Sequence, residues 1–185
     1  DHKVLAGTYK GLYYSTNSGD SWTAANVGQS DLQTNSISIS PATAGGWTAF
    51  AATRGKGVLK SIDGIAWTAL PTATTGTTVQ VIAVSPDYAQ DSVVMAFTQS
   101  AGVVRSTNSG AAWADMNAGL PKRDVTSILF SPAYASDKTV FAGTPGGVFA
   151  SVNGGAWTFL STGMTTPNVP AFAISPAYAT DHTVF

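Results

Sequence analysis

The sequence predicts an all-β protein, and two observations predict it: a scarcity of helix-forming residues, and short apolar segments that return at a fixed interval. Only 10% of the 185 residues are charged, and all ten acidic residues are Asp. Glu, Lys and Arg favour helices, so a chain without Glu and poor in Lys and Arg argues against an α-rich fold. No stretch keeps a 3.6-residue apolar period over a useful length. Hydrophobic residues still make up 44% of the chain. That supports a packed core and excludes disorder, which needs low hydrophobicity or high net charge.

The interval is the stronger signal. Ser-Pro pairs recur at Ser40, Ser85, Ser131 and Ser175, in steps of 45, 46 and 44 residues. Trp22, Trp67, Trp113 and Trp157 recur in the same steps. A first series of apolar segments reads VLAGT (4–8), AFAAT (49–53), VMAFT (94–98) and VFAGT (140–144). A Gly-led series follows it: GLYYS (11–15), GVLKS (57–61), GVVRS (102–106) and GVFAS (147–151). The third series ends on each Ser-Pro: SISIS (36–40), VIAVS (81–85), SILFS (127–131) and AFAIS (171–175). With the Trp segment, each unit reads as four short strands split by turn residues. Four-strand units of 40 to 50 residues are the mark of a β-propeller blade. The Ser-Pro strand is apolar on both faces, as a doubly buried strand is, so it is expected innermost, against the central channel. The AGT, Gly-led and Trp strands follow outward. A β-sandwich, the main rival, requires no such even self-similarity.

The expected domain is one propeller segment over 1–185, with repeats at about 1–46, 47–90, 91–136 and 137–180 and the first strand of a further repeat over 181–185. DHKVL at residues 1–5 matches DHTVF at residues 181–185. The segment is expected to be part of a larger ring or to pair with another chain. An uncovered blade edge invites self-association.

Between the Gly-led and Trp strands lie STNSGDSW (15–22), SIDGIAW (61–67), STNSGAAW (106–113) and SVNGGAW (151–157). Such a turn needs a side-chain acceptor for its backbone N–H groups, a glycine for positive φ, and a large apolar closure. The residues placed in those roles are Ser15, Asn17, Gly19 and Trp22; Ser61, Asp63, Gly64 and Trp67; Ser106, Asn108, Gly110 and Trp113; and Ser151, Asn153, Gly155 and Trp157. These segments resemble the Asp box, Ser-x-Asp-x-Gly-x-x-Trp, of the bacterial neuraminidase repeat. The second and fourth copies are one residue shorter, and three of the four carry Asn where the family usually has Asp. The superfamily includes sialidases, xyloglucanases, sortilin and photosystem II assembly propellers. SPAYASDKTVFAGT (131–144) and SPAYATDHTVF (175–185) look most like its generic bacterial repeat propellers. The resemblance implies a propeller whose binding sites lie on the face opposite the boxes and the Ser-Pro turns.

Chemistry is sparse. A sialidase needs an arginine triad and a Tyr/Glu pair, whereas this chain has Arg54, Arg105 and Arg123 and no Glu. A glycosidase needs two spaced carboxylates. Asp1, Asp91, Asp137 and Asp181 share one repeat position, and Asp63 belongs to a box, so these five read as structural. Asp31 and Asp124 are the weak catalytic candidates, on loops of the expected binding face. His2 and His182 share a slot with Ser92 and Lys138, which is no metal ligand set. No phosphate loop is present, so neither a metal nor a cofactor is expected. With no Cys, disulfides and thiolate chemistry are excluded.

Lys10, Arg54, Lys56, Lys122 and Arg123 all fall on the expected binding loops, together with Tyr9. Such a rim suits an acidic protein or glycan. A net charge of −1 gives no general pull toward nucleic acid. No apolar run is long enough for a membrane span, and no signal peptide is visible. The expected function is therefore a non-catalytic interaction or assembly module, secreted or at the cell surface. Its Thr/Ser/Ala/Gly-rich composition suits an exported bacterial protein. The alternative is a fragment of a sialidase- or xyloglucanase-like glycoside hydrolase with its catalytic groups outside this chain.

Overall fold

The computed structural model describes residues 3–25, 33–43, 45–70, 77–120 and 124–185. The first sheet holds β1 (Val4–Thr8), β2 (Gly11–Ser15) and β3 (Thr23–Ala24). The second holds β4 (Thr34–Ile39), β5 (Ala49–Thr53), β6 (Gly57–Ser61) and β7 (Thr68–Ala69). The third holds β8 (Val79–Val84), β9 (Val94–Thr98), β10 (Gly102–Ser106) and β11 (Ala114–Asp115), with a helical turn α1 (Tyr88–Asp91) between β8 and β9. The fourth holds β12 (Ser127–Phe130), β13 (Thr139–Thr144), β14 (Gly147–Val152) and β15 (Thr158–Phe159), with α2 (Tyr134–Asp137) after β12. All pairings between neighbouring strands are antiparallel and run in chain order. The fold is a β-propeller segment, as the repeats predict. The chain enters the first sheet on the strand equivalent to β5, so that sheet has three strands. Past β15, Ile174 and Val184 bridge, with α3 (Tyr178–Asp181) between them, and begin a further sheet.

The core lies between sheets. Leu12 and Ala25 of the first sheet meet Ala49, Ala51, Leu59 and Trp67 of the second. Phe50, Ala52 and Val58 meet Val79, Ile82, Val94, Ala96 and Val104. Met95, Phe97, Val103 and Met116 meet Val140, Ala142, Phe149 and Trp157. Beyond the fourth sheet, Phe141 and Val148 pack on Val169, Phe172, Tyr178 and Val184. Both faces of each middle sheet are covered, which is why β5, β9 and β13 are buried along their whole length and read as unbroken apolar runs.

The inner strands stand where expected but are less buried than a doubly covered strand. β4, β8 and β12 are innermost, but several of their residues are only half-buried. They line a concavity of about 730 Å³. Their apolar side chains pack sideways into the neighbouring sheets, while the remaining surface faces that space. Side chains also latch sheet to sheet here: Asn35 Nδ2 donates to the Val79 carbonyl at 2.8 Å, and the Val84 N–H to Ser38 Oγ at 3.1 Å.

Each of the last three Ser-Pro turns is one turn of helix closed by a clip. The Ser85 and Ser131 hydroxyls donate to Asp91 and Asp137 at 2.7 and 2.6 Å, and the other carboxylate oxygen accepts the N–H of Val93 or Thr139 at 2.8 Å. Ser175 and Asp181 repeat the arrangement. Ser92, Lys138 and His182 follow in left-handed conformation, with φ of 52°, 51° and 49°. Asp91, Asp137 and Asp181 are structural for this reason; Asp1 and His2 lie outside the described residues. Ser40-Pro41 has no such Asp and closes instead through a Thr43–Gly46 bridge.

Three of the four Ser-Asn/Asp turns share one hydrogen-bond pattern. Ser15, Ser61 and Ser106 donate to Asn17, Asp63 and Asn108 at 2.8 to 2.9 Å. The same acceptors take the N–H groups of Ser21, Ile65, Ala66 and Ala112. Gly19, Gly64 and Gly110 have φ of +99°, +79° and +85°. The fourth turn departs. Its positive-φ glycine is Gly154 rather than Gly155, and Ser151 donates to the Gly155 carbonyl at 2.6 Å instead of to Asn153.

The indoles act between sheets, rather than closing only their own turns. Trp67 is 5% exposed against the first sheet's core, and Trp157 is 4% exposed and donates through Nε1 to the Met116 carbonyl of the third sheet at 2.7 Å. Trp113 packs with Leu70, and a side chain at Gly110 would collide with Leu70 at 2.3 Å. Trp22, with no earlier sheet among these residues, is 43% exposed.

Two predictions follow from these contacts. Trp157→Ala should cost about 3–5 kcal/mol in urea unfolding, as buried aromatic truncations do, and Trp22→Ala less than about 1 kcal/mol. The N–H groups of Ile65 and Ala66 hold the Asp63 carboxyl below its ordinary pKa. A depressed folded-state pKa contributes stability that is present above the unfolded value, about 3.9, and lost as pH falls through the folded one. Asp63→Ala should therefore remove about 1 kcal/mol at neutral pH and flatten the stability profile below about pH 4. Asp63→Asn keeps the acceptor, as the first and third turns do, and should flatten the same acid limb with a smaller loss at neutral pH.

Candidate binding face

Strand alternation sorts the connections onto two faces. The Ser-Pro turns and the indole turns share one. The hairpins β1–β2, β5–β6, β9–β10 and β13–β14 share the other with the connections to each next inner strand. The hairpins are pinned from within: the Thr8, Thr53 and Thr144 hydroxyls donate to the carbonyls of Gly11, Gly57 and Gly147 at 3.0, 2.7 and 2.9 Å. Anchored bases leave the tips free to carry exposed side chains.

Those tips carry Tyr9 and Lys10 on the first sheet and Arg54 and Lys56 on the second. All four are exposed, Tyr9 to 82%. Arg54 leans toward the mouth of the concavity: its N–H donates to the Gln33 carbonyl at 2.9 Å and its guanidinium to Gln33 Oε1 at 3.4 Å. Gln33 immediately precedes inner strand β4. Asp124 is exposed on the approach to β12. Lys122, Arg123 and Asp31 lie outside the described residues.

The concavity is lined by Ser36, Ser38, Asn35, Gln80, Thr126 and Ser127 among aliphatic neighbours and Phe130. No ionisable side chain is among its described lining residues. Such a wall offers hydrogen bonds and apolar contact without charge, so the charge of this face sits on the rim. No group of three or more His, Asp or Glu side chains among the described residues is placed to hold a metal.

Arg105 stands elsewhere. It is half-buried on β10 and hydrogen-bonds the Tyr134 phenol of the fourth sheet, drawing its pKa downward while burial, the larger effect, pushes it up. It is thus a strut between sheets. Sequence reasoning missed Asn117 and Ser161. Asn117 accepts the Val103 N–H at 2.9 Å and donates to the Ala101 carbonyl at 2.8 Å; Ser161 accepts the Val148 N–H at 2.6 Å. Both fasten the end of an outer strand to a hairpin base. Their matching offset, two residues past β11 and β15, was the available signal.

No helix among the described residues is long and apolar enough to cross a membrane. The fold is shared with several solved structures. An ancestral GH74 enzyme superposes with a TM-score of 0.71 at 24% identity, over 95% of this chain and 25% of its own. The GH74 enzyme of Niastella koreensis gives 0.65 at 18%, over 88% of this chain and 28% of its own. YCF48 bound to D1 peptide gives 0.59 at 15%, over 85% of this chain and 50% of its own. The chain therefore spans a quarter to a half of the chains it resembles. No curated protein matches it. The model of the DUF6242 beta propeller domain matches residues 4–184, and the chain belongs to that family.

Proposed function

We propose that this propeller is a non-catalytic interaction or assembly module, secreted or at the cell surface, that takes an acidic protein segment or glycan on its hairpin face. The observation that carries this reading is the exposed set of Tyr9, Lys10, Arg54 and Lys56 beside an uncharged concavity. Lys122 and Arg123 extend the rim in this proposal. An exposed aromatic flanked by cations recognises a carboxylate-bearing partner through charge complementarity and stacking. YCF48, of the same fold, is a propeller seen with a bound peptide. The indole turns are, on this reading, Asp boxes that serve the scaffold.

The segment also works within a larger ring or beside another chain. Trp22 is 43% exposed and Leu160, the fourth-sheet counterpart of Leu70 and Met116, is 51% exposed. Each is half of a joint that is filled three times inside the chain.

The second reading is a fragment of a carbohydrate-active propeller enzyme, a glycoside hydrolase whose catalytic groups lie in other residues. The likeness to GH74 enzymes favours it. Asp31 and Asp124 are then its candidate carboxylates here.

Screening the intact protein on glycan arrays and acidic peptides, with polysaccharide hydrolysis in parallel, separates the two. Lys10→Glu, Arg54→Glu and Lys56→Glu together should weaken the ligand found by about tenfold or more at low salt, with the difference shrinking as salt rises. Turnover that disappears with Asp31→Ala or Asp124→Ala would overturn the binding reading.

A further inference from the structure

The four indole turns hold their Asn or Asp in different chemical situations. Asn17 Oδ1 accepts the Ser15 hydroxyl and the Ser21 N–H, while its Nδ2 donates to Ser21 Oγ at 3.0 Å. Asn108 Oδ1 accepts the Ser106 hydroxyl and the Ala112 N–H. Asp63 is held in the same way. The next N–H in the chain is engaged as well in two of these turns: Gly64 donates to Ser61 Oγ at 2.8 Å, and Ser109 to the Ser92 carbonyl at 3.0 Å.

The fourth turn lacks all of these restraints. Ser151 has turned to the Gly155 carbonyl. The Asn153 side chain and the Gly154 N–H have no hydrogen-bond partner among the described residues; Asn153 is tied only through its own N–H, to the Lys138 carbonyl at 2.9 Å. Both residues are exposed. The following residue is glycine, at φ +70°, so no Cβ shields its nitrogen. The nearest group to where that Cβ would stand is Arg105 Nη1, at 2.9 Å.

We propose that Asn153–Gly154 is a self-modification site, where the Asn side chain cyclises onto the backbone and opens to aspartate and isoaspartate. The Gly154 nitrogen, losing its proton, attacks Asn153 Cγ and forms the N–Cγ bond. The Cγ–Nδ2 bond breaks, and the nitrogen leaves as ammonia with the proton. Water then opens the five-membered imide, at the main-chain carbonyl carbon to give isoaspartate or at Cγ to regenerate the normal linkage as aspartate, with the imide nitrogen recovering a proton in either case. No atom changes oxidation state; water enters and ammonia departs. The Arg105 guanidinium stands next to Gly154, so the turn in which the carboxylate forms already has a positive charge at its edge. The fourth turn thereby changes from the neutral Asn type to the charged type that Asp63 represents, at the joint between the third and fourth sheets.

The test ages the intact protein in mildly alkaline buffer and follows Asn17, Asn108 and Asn153 by peptide mass spectrometry, with isoaspartyl methyltransferase labelling. A synthetic peptide of residues 149–159 serves as the clock. The peptide holding Asn153 should gain about 1 Da and take the isoaspartyl label. Its rate should approach that of the free peptide and exceed those at Asn17 and Asn108 by about tenfold or more. An unmodified Asn153 after the free peptide has converted would overturn the proposal. So would a rate no greater than at the two hydrogen-bonded asparagines.

Discussion

Burial of sheet against sheet sets the terms for everything else in this molecule. A four-stranded blade of this length has two apolar faces and little core of its own, so each must be covered by a neighbour. Phe50, Met95 and Phe141 stand at one repeat position and, like Phe97 on the same strand as Met95, are almost fully buried. Phe97 lies between the third and fourth sheets and Phe141 between the fourth and the sheet begun after it. The indoles extend the same contact to the outer rim. An indole removes about 150–250 Å² from water; here that area is shared between a turn and the preceding sheet, so the turn's geometry and the joint's stability are coupled. A loosened turn would withdraw the indole from its neighbour.

That coupling divides the molecule into a stiff face and a permissive one. On the turn face, Ser-Asp clips and Ser-Asn/Asp turns satisfy backbone groups with short side chains, and left-handed residues at Ser92, Lys138 and His182 fix where each strand begins. Little there is free to vary except charge state. On the hairpin face, the Thr, Asn117 and Ser161 contacts lie at the bases of the loops and leave the tips uncommitted. Function can then be placed on the tips without disturbing the joints.

The strands were legible in the sequence because their signal is local. A Gly-led apolar run ending in Ser needs only its neighbours in sequence to be recognised, and the step of about 45 residues multiplies it fourfold. The structural role of Asp91, Asp137 and Asp181 was legible from repetition alone, though its cause, a hydroxyl six residues earlier, was not. The destination of each Trp was hidden for a different reason. Leu70, the partner of Trp113, lies in another repeat, and nothing in a single hairpin distinguishes closing its own turn from covering the previous sheet. The inner strands misled in the same way: VQVIAV satisfies the pattern of double burial, and only the ring's curvature leaves part of it facing the concavity. In the fourth turn, two adjacent glycines made the register ambiguous, and backbone φ resolved it in favour of Gly154.

The binding face was less legible, and the reason is physical. A rim of exposed Tyr and Lys satisfies no internal constraint, so neither periodicity nor burial pattern distinguishes a recognition surface from a solvated one. What separates the two is context that only the fold supplies. Arg54 is drawn toward Gln33, just before inner strand β4, while Arg105, equally basic, is consumed as a strut against Tyr134. Identical residue types thus acquire opposite roles from their place on the blade: an arginine on the third strand is committed to a neighbouring sheet, and one on a hairpin tip remains available. The same logic ranks the carboxylates, since an Asp clamped by a serine hydroxyl and a backbone N–H is committed to closing a Ser-Pro turn on the opposite face. Asp124, on the hairpin face, is exposed instead.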